Sequence, residues 1–293
     1  MIERTRSLAQ LLGYPDDARL LIINADDFGM CHAENVATID GLESGAYRCA
    51  TVMVPCPWFN EVVAFARRVP GADLGVHLTQ TSEWQSYKWG PVAGAGAVPS
   101  LVDGQGSFYD DVPAVYAHAR LDEVERETRA QIERALAAGI DVTHLDSHMG
   151  TLQLDVNYHD LYVRIAADYR LPIRMANRKW MRAIGMGHIV GLADRLGVLS
   201  PDHLWIGGPG PPADTERHWT ALFQRLKPGV NELYVHAGVD VPEGHAITAA
   251  WAQRVADHRF FTAPSTSGVL AGHHVTLIGY REVRDLQRRL LAC

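Results

Sequence analysis

A repeated order of short apolar run followed by helical periodicity constrains this chain more than any other feature. Leu20-Leu21-Ile22-Ile23 runs into Asn24-Ala25-Asp26-Asp27 and reads as a buried strand with polar residues at its C-terminal end. Residues 34–42 place Val36, Ile39 and Leu42 at helical spacing, with Gly45 as a C-terminal cap. Residues 50–54 form the next strand, stopped by Pro55, then 59–69 a helix and 74–78 a strand holding His77. The clearest helix covers 121–138, with Leu121, Val124, Thr128, Ile132 and Ala135 on one face, acids in its first turn and Gly139 after it. Alternation continues with a strand at 140–145, a helix at 161–167 and extended runs at 171–175 and 204–206. A helix at 221–226, strands at 233–235 and 275–278 and a terminal helix complete it. Strand-then-helix order implies parallel strands. No Gly-x-Gly-x-x-Gly follows the first strand, so an α/β barrel is expected, as one domain over residues 1–293. Such folds assemble their sites at strand C-termini.

The segment 80–111 breaks the rhythm. It holds Trp84, Tyr87, Trp89, Phe108 and Tyr109 among glycines and prolines. A loop this long in a compact domain is functional or disordered, and its aromatic content predicts a folded substrate-binding insertion. Trp84, Tyr87 and Trp89 are the expected substrate-contacting residues of this loop.

Charge excludes one class of partner. The formal net charge is -7, and no basic cluster suited to phosphate appears, so nucleic acid is not expected. Arg67-Arg68 and Arg288-Arg289 read as solvated helix faces. The longest apolar runs are far too short to span a bilayer, and residues 1–12 lack a signal-peptide pattern. A cytoplasmic chain with no membrane partner is the expectation. Cys31, Cys49, Cys56 and Cys293 have no metal-finger spacing and read as reduced thiols.

Chemistry concentrates at strand ends. In Asp26-Asp27 one carboxylate can bind a metal while the other takes a proton, although Asp is equally common in turns and helix caps. His77 lies in Gly75-Val76-His77-Leu78-Thr79, where a lone histidine is more often a satisfied interior residue. His148 closes Thr143-His144-Leu145-Asp146-Ser147-His148, where a turn is the bland alternative. One carboxylate and two imidazoles from three strand ends, converging with open positions for water, make a catalytic metal arrangement. His236, ending Leu233-Tyr234-Val235-His236, is a candidate acid for a leaving group. On spacing alone Arg254 and Asp257 are a surface ion pair. His273-His274 points to opposite faces of a strand and is set aside.

These stretches, with Ile23-Asn24-Ala25-Asp26-Asp27-Phe28-Gly29 the most specific, resemble the YdjC-like carbohydrate deacetylases. The likeness extends through Glu232-Leu233-Tyr234-Val235-His236, Arg254 with Asp257, and Leu277-Ile278-Gly279-Tyr280-Arg281-Glu282-Val283. It implies a distorted (β/α) barrel related to the NodB-type polysaccharide deacetylases. It implies that Asp27, His77 and His148 bind one divalent metal ion, Zn2+ or Mg2+, that Asp26 is the base and that His236 assists as acid. Arg254 joins the expected substrate-binding residues. The implied reaction removes an N-acetyl group from an amino sugar or short oligosaccharide and releases acetate, in a chain that forms a homodimer. The sequence departs from the family at Met149-Gly150, where members carry a further histidine, and at Ala237, where proline is usual. These departures bear on substrate identity. The rival readings are a metal-dependent sugar isomerase or epimerase, which would carry more carboxylate ligands, and a silent sugar-binding protein, which would not need the Asp26-Asp27 pair.

Overall fold

The computed structural model describes residues 7–208 and 210–292, so Cys293 and residues 1–6 of the charged N-terminal stretch lie outside the described residues. Among the described residues, seven strands form one sheet: β1 Arg19–Phe28, β2 Cys49–Val52, β3 Leu74–Leu78, β4 Val142–Ser147, β5 His203–Trp205, β6 Gly229–Val235 and β7 Val275–Leu277. The spatial order is β4-β3-β2-β1-β6-β5, every pairing is parallel, and β7 joins β1 at Arg19–Leu21, ahead of the stretch paired with β2. Parallel strands need helical crossovers that cover both faces. That is why β1 is buried along almost its whole length and reads as a continuous apolar run rather than an alternating one.

The sheet curls but does not close into a regular barrel. Between the edges β4 and β5, residues 172–174 run as irregular chain. Leu145 N–H donates to the Pro172 carbonyl, Arg174 N–H to the Leu145 carbonyl and Ile173 N–H to the Leu199 carbonyl. Only the Leu145–Ile173 bridge is strand-like. The extended run expected at 171–175 is therefore one bridge, because Pro172 has no N–H to continue a ladder. Parallel half-barrel is the accurate description.

The helix Leu121–Ala137 buries Val124, Thr128, Ile132 and Ala135 against the sheet. Helices at Arg178–Ala183, Gly187–Leu196, Trp251–Thr262 and Pro264–Gly272 lie in stretches that the periodicity leaves unassigned. Two of them, Trp251–Thr262 and Pro264–Gly272, have little amphipathic pattern of their own. Residues 80–111 contain no strand or α-helix, only the turn Pro99–Leu101 and a Val102–Phe108 bridge. The loop is nonetheless built. Trp89, Val98, Leu101 and Phe108 are buried, and both Glu127 oxygens accept the Val92 and Ala93 N–H groups. Among the described residues no helix is long and apolar enough to cross a membrane.

Candidate active site

Adjacent residues on a strand point to opposite faces, so Asp26 and Asp27 should not serve one site. A bulge solves this. The β1–β2 register shifts between Ala25 and Phe28, and Asp27 takes φ 64, a left-handed conformation uncommon for a non-glycine residue. Both carboxylates then line one cavity of about 500 Å³, together with His77, His148, Arg174, His236 and Arg254. Strain held at a bulge beside a cavity is characteristic of functional sites.

Asp27 Oδ1 lies 3.4 Å from His77 Nε2 and 3.4 Å from His148 Nδ1, and the two ring nitrogens are 3.3 Å apart. Among the described residues, this buried carboxylate oxygen has no hydrogen-bond partner. Its other oxygen accepts a 2.9 Å hydrogen bond from Arg254 Nη1. A buried oxygen left unsatisfied is costly, and two imidazole nitrogens facing it complete a three-donor set for a divalent ion. The outer atoms of both rings are held as metal-ligating histidines require. His77 Nδ1 sits 2.6 Å from Asp146, and His148 Nε2 is 3.0 Å from Glu83. A second grouping, Asp26, His77 and Asp146, fits a metal poorly. Its His77 nitrogen is already bonded to Asp146, and the Asp26 oxygens are taken by arginine.

Electrostatics favour a cation at that point. Burial pulls the two imidazoles down, yet Asp146 with Asp27 raises His77 to about 10, and Glu83 with Asp27 raises His148 to about 9. Asp27 itself stays well below the usual carboxylate range: burial raises it, but His236, Arg254 and the two ring partners outweigh that. Asp26 is buried too. Arg174 grips it at 2.7 and 2.8 Å, Asn24 Nδ2 donates at 2.7 Å, and these cationic and polar contacts bring it to about 2 despite burial. Asp26 is thus ionised, oriented and still part of the cavity wall. His236 directly follows β6, which pairs with β1, and its Nε2 lies 3.8 Å from Asp27 Oδ2; burial lowers its pKa from the usual imidazole value.

The expected loop aromatics separate. Trp84 lines the cavity, and its buried indole N–H has no partner among the described residues. Tyr87 instead donates its hydroxyl to the Met30 carbonyl, and Trp89 is buried with its N–H on the Thr81 carbonyl. Neither Tyr87 nor Trp89 reaches the cavity wall; they hold the loop in place. The spacing-based ion pair of Arg254 with Asp257 is also corrected. Both are buried, Arg254 bonds Asp27 and Glu34, and Asp257 accepts from the Trp219 indole. Met149, where the additional histidine is missing, lines the cavity at φ 50.

Arg174, Glu83 and Glu34 carry no motif signal of their own, and Asp146 lies inside the Thr143–His148 stretch without being singled out there. Arg174 and Asp146 do sit where extended runs end, which is the positional cue that picks out His77 and His148.

The pattern of YdjC-like proteins matches residues 20–272, most of the chain. This chain belongs to the YdjC-like family. The YdjC-like chain is 34% identical over 274 residues to a carbohydrate deacetylase of Thermus thermophilus, covering 91% of this chain and 94% of that protein. It is 30% identical to a carbohydrate deacetylase of Geobacillus stearothermophilus, covering 92% and 99%. A crystallised candidate cellobiose-phosphate cleavage protein from Enterococcus faecalis V583 superposes with a TM-score of 0.80 at 26% identity, covering 91% of this chain and 99% of that one.

Proposed function

We propose that this YdjC-like protein is a metal-dependent hydrolase that removes the N-acetyl group of an amino sugar and releases acetate. The observation that carries the reading is the unsatisfied Asp27 Oδ1 facing two imidazole nitrogens on a cavity wall that also presents an arginine-held second carboxylate. The relatives named carbohydrate deacetylase support it.

Asp27, His77 and His148 would hold the ion, and one oxygen with two nitrogens suits zinc, with magnesium the alternative. A bound divalent ion would lower the pKa of a water and polarise the acetyl carbonyl. Asp26 accepts the proton of the attacking water. Arg174 keeps it ionised and aimed, so its protonation does not limit the rate at any working pH. The proton that Asp26 takes from the water passes to the His236 ring and from it to the departing nitrogen, because an amide anion is a poor leaving group. Arg254 occupies Asp27 Oδ2 and leaves one oxygen for the ion, so Arg254 is a positioning residue whose own place is set by Glu34 at 2.7 Å. Trp84 offers its indole face to the sugar. Water adds across the C–N bond, giving acetate and a free amine.

Acetate release from a panel of N-acetylated sugars tests the proposal. Asp27→Ala, His77→Ala and His148→Ala should each abolish release and lower metal content by elemental analysis. Release of acetate by all three variants at full metal content, or a sugar converted without acetate release, would remove the assignment.

A further inference from the structure

Asp26 is held on two sides, by Arg174 and by Asn24 Nδ2, and both holds trace back to the start of the terminal helix Tyr280–Ala292. The Tyr280 hydroxyl donates to Glu232, which accepts from Arg174 Nε. The Tyr280 ring stacks on His144 at 3.8 Å with an interplanar angle of 7°, and His144 Nε2 lies 3.1 Å from Asn24 Oδ1. On its other side, His144 Nδ1 is 2.9 Å from Thr143 Oγ1, which meets Asp73 Oδ1 just ahead of β3. Every side chain on this path is buried. Gly75 makes room for it, because a Cβ there would stand 2.6 Å from the His144 ring. The path crosses the half-barrel from a cavity of about 430 Å³, lined by Asp73, to the site cavity lined by Asp26.

Hydrogen counting gives the path a direction. Both Asp26 oxygens accept from Arg174, so Asn24 presents its amide nitrogen to Asp26 and its oxygen to His144. The second Asn24 N–H goes to Thr51, whose hydroxyl donates to Asp146, the partner of His77. An oxygen facing His144 requires Nε2–H. A neutral ring then accepts at Nδ1, and the Thr143 hydroxyl is the donor beside it. Thr143 has one hydroxyl hydrogen, so the Asp73 oxygen it meets must bring its own. A doubly protonated His144 against an ionised Asp73 would hold the same number of protons. Burial and Arg174 oppose that, keeping the ring well below the usual imidazole range, while burial lifts Asp73 to about 6. Asp73 is faced by Glu282 and Arg281 of the terminal helix and by the Cys49 thiol of β2, with Arg48, Glu43 and Asp285 around the same cavity. Arg281 spends its guanidinium on Asp141 and the Ala72 carbonyl. His144 is faced by Arg174, Asp26 and His77.

We infer that His144 is a positioning residue for Asp26: a proton on Asp73, acting through Thr143, fixes the His144 tautomer that holds the Asn24 amide against Asp26. The inference rests on the deacetylase reading only for what Asp26 does. When Asp73 loses its proton to the cavity beside it, Thr143 turns its hydroxyl to the carboxylate and His144 Nδ1 loses its donor. Moving the ring hydrogen to Nδ1 restores that contact but sets a bare Nε2 against Asn24 Oδ1. The amide is then no longer held, and neither is the oxygen of Asp26 that it aims.

Nitrogen NMR of the full-length, histidine-labelled protein reads the tautomer, with His144→Gln identifying the signal. His144 should carry Nε2–H at pH 5 and lose that preference by pH 7.5. In Asp73→Asn, whose amide donates to Thr143 at any pH, Nε2–H should persist at both. Wild-type kcat for acetate release, divided by that of Asp73→Asn, should fall about three- to tenfold from pH 5 to pH 7.5, the loss of one neutral hydrogen bond. KM and metal content should stay constant, and the ratio cancels ionisations common to both proteins. His144→Leu should lose about tenfold in kcat, and His144→Gln, whose amide nitrogen replaces Nε2–H, should recover most of that. An Nδ1–H or doubly protonated ring at pH 5, a kcat ratio independent of pH, or a glutamine variant no better than the leucine one would overturn the inference. If His144→Leu does not fold, the tautomer and the Asp73→Asn ratio decide. The NMR measurement needs no substrate, so a wild type that releases no acetate would remove the deacetylase reading while the tautomer still decides the inference.

Discussion

Asp26 and Asp73 are both buried carboxylates in hydrogen-bonded surroundings, yet they carry opposite electrostatic character. A single run of polar side chains connects them. Asp73 meets Thr143 Oγ1, which lies 2.9 Å from His144 Nδ1; His144 Nε2 is 3.1 Å from Asn24 Oδ1, and Asn24 Nδ2 donates to Asp26. At the cavity end, Arg174 outweighs burial and holds Asp26 at about 2. At the other end, just before β3, no side-chain guanidinium among the described residues grips the carboxylate. Arg281 gives Asp73 only its backbone N–H while its guanidinium turns to Asp141 and the Ala72 carbonyl. Burial then prevails, and Asp73 rises to about 6. Burial alone does not decide charge; a bidentate cation does.

The same carboxylate-to-amide change at both ends sharpens this contrast. Asp26→Asn should cost the most, about 10²–10⁴-fold in kcat with metal content retained, as loss of a general base does. Steady-state acetate release beside elemental analysis measures it, and loss of metal instead would move Asp26 into the ligand set. Next in size is Arg174→Met. Its guanidinium contacts Asp26, Asp146 and Glu232, so its removal leaves buried carboxylates uncompensated. A loss of about 3–5 kcal/mol in denaturant unfolding is expected, and an unchanged midpoint would show that burial, not the cation, governs this cluster. Smallest is Asp73→Asn. The folded pKa lies above the ordinary 3.8, so the contribution of Asp73 to stability is complete below that value and fades as pH rises through about 6. Wild type should therefore lose ground to the variant between pH 4 and pH 7, by up to about 3 kcal/mol. Unfolding series at pH 4, 5.5 and 7 would reveal it, and a constant gap would place Asp73 in the ionised class with Asp26.

Much of the frame is legible before folding. The parallel strands, the polar residues at their C-terminal ends and the long helix at 121–138 follow from apolar runs and helical spacing. Strand limits shift by a few residues, and 171–175 fails as a strand because Pro172 interrupts the ladder. The six-residue helix Arg178–Ala183 is too short to show a period, whereas Gly187–Leu196 does carry an apolar face of Ile189, Val190, Leu192 and Ala193 that the strand-then-helix reading passes over. Trp84, Tyr87 and Trp89 are indistinguishable in sequence. Only the folded loop turns Trp84 to the cavity and the other two onto the Met30 and Thr81 carbonyls.

What the sequence by itself determined is which donors stand at strand ends: Asp26, Asp27, His77, His148 and His236 are recognisable because an apolar strand ends at each. What only the tertiary structure decided is the state of those donors. Arg174 reaches Asp26 across 148 positions and Arg254 reaches Asp27 across 227, so no local pattern announces either pair. The bulge that turns Asp27 beside Asp26 depends likewise on its register with β2. Strand ends are set by local hydrophobicity and backbone chemistry, whereas a buried charge is set by whichever partner the fold brings within hydrogen-bond reach.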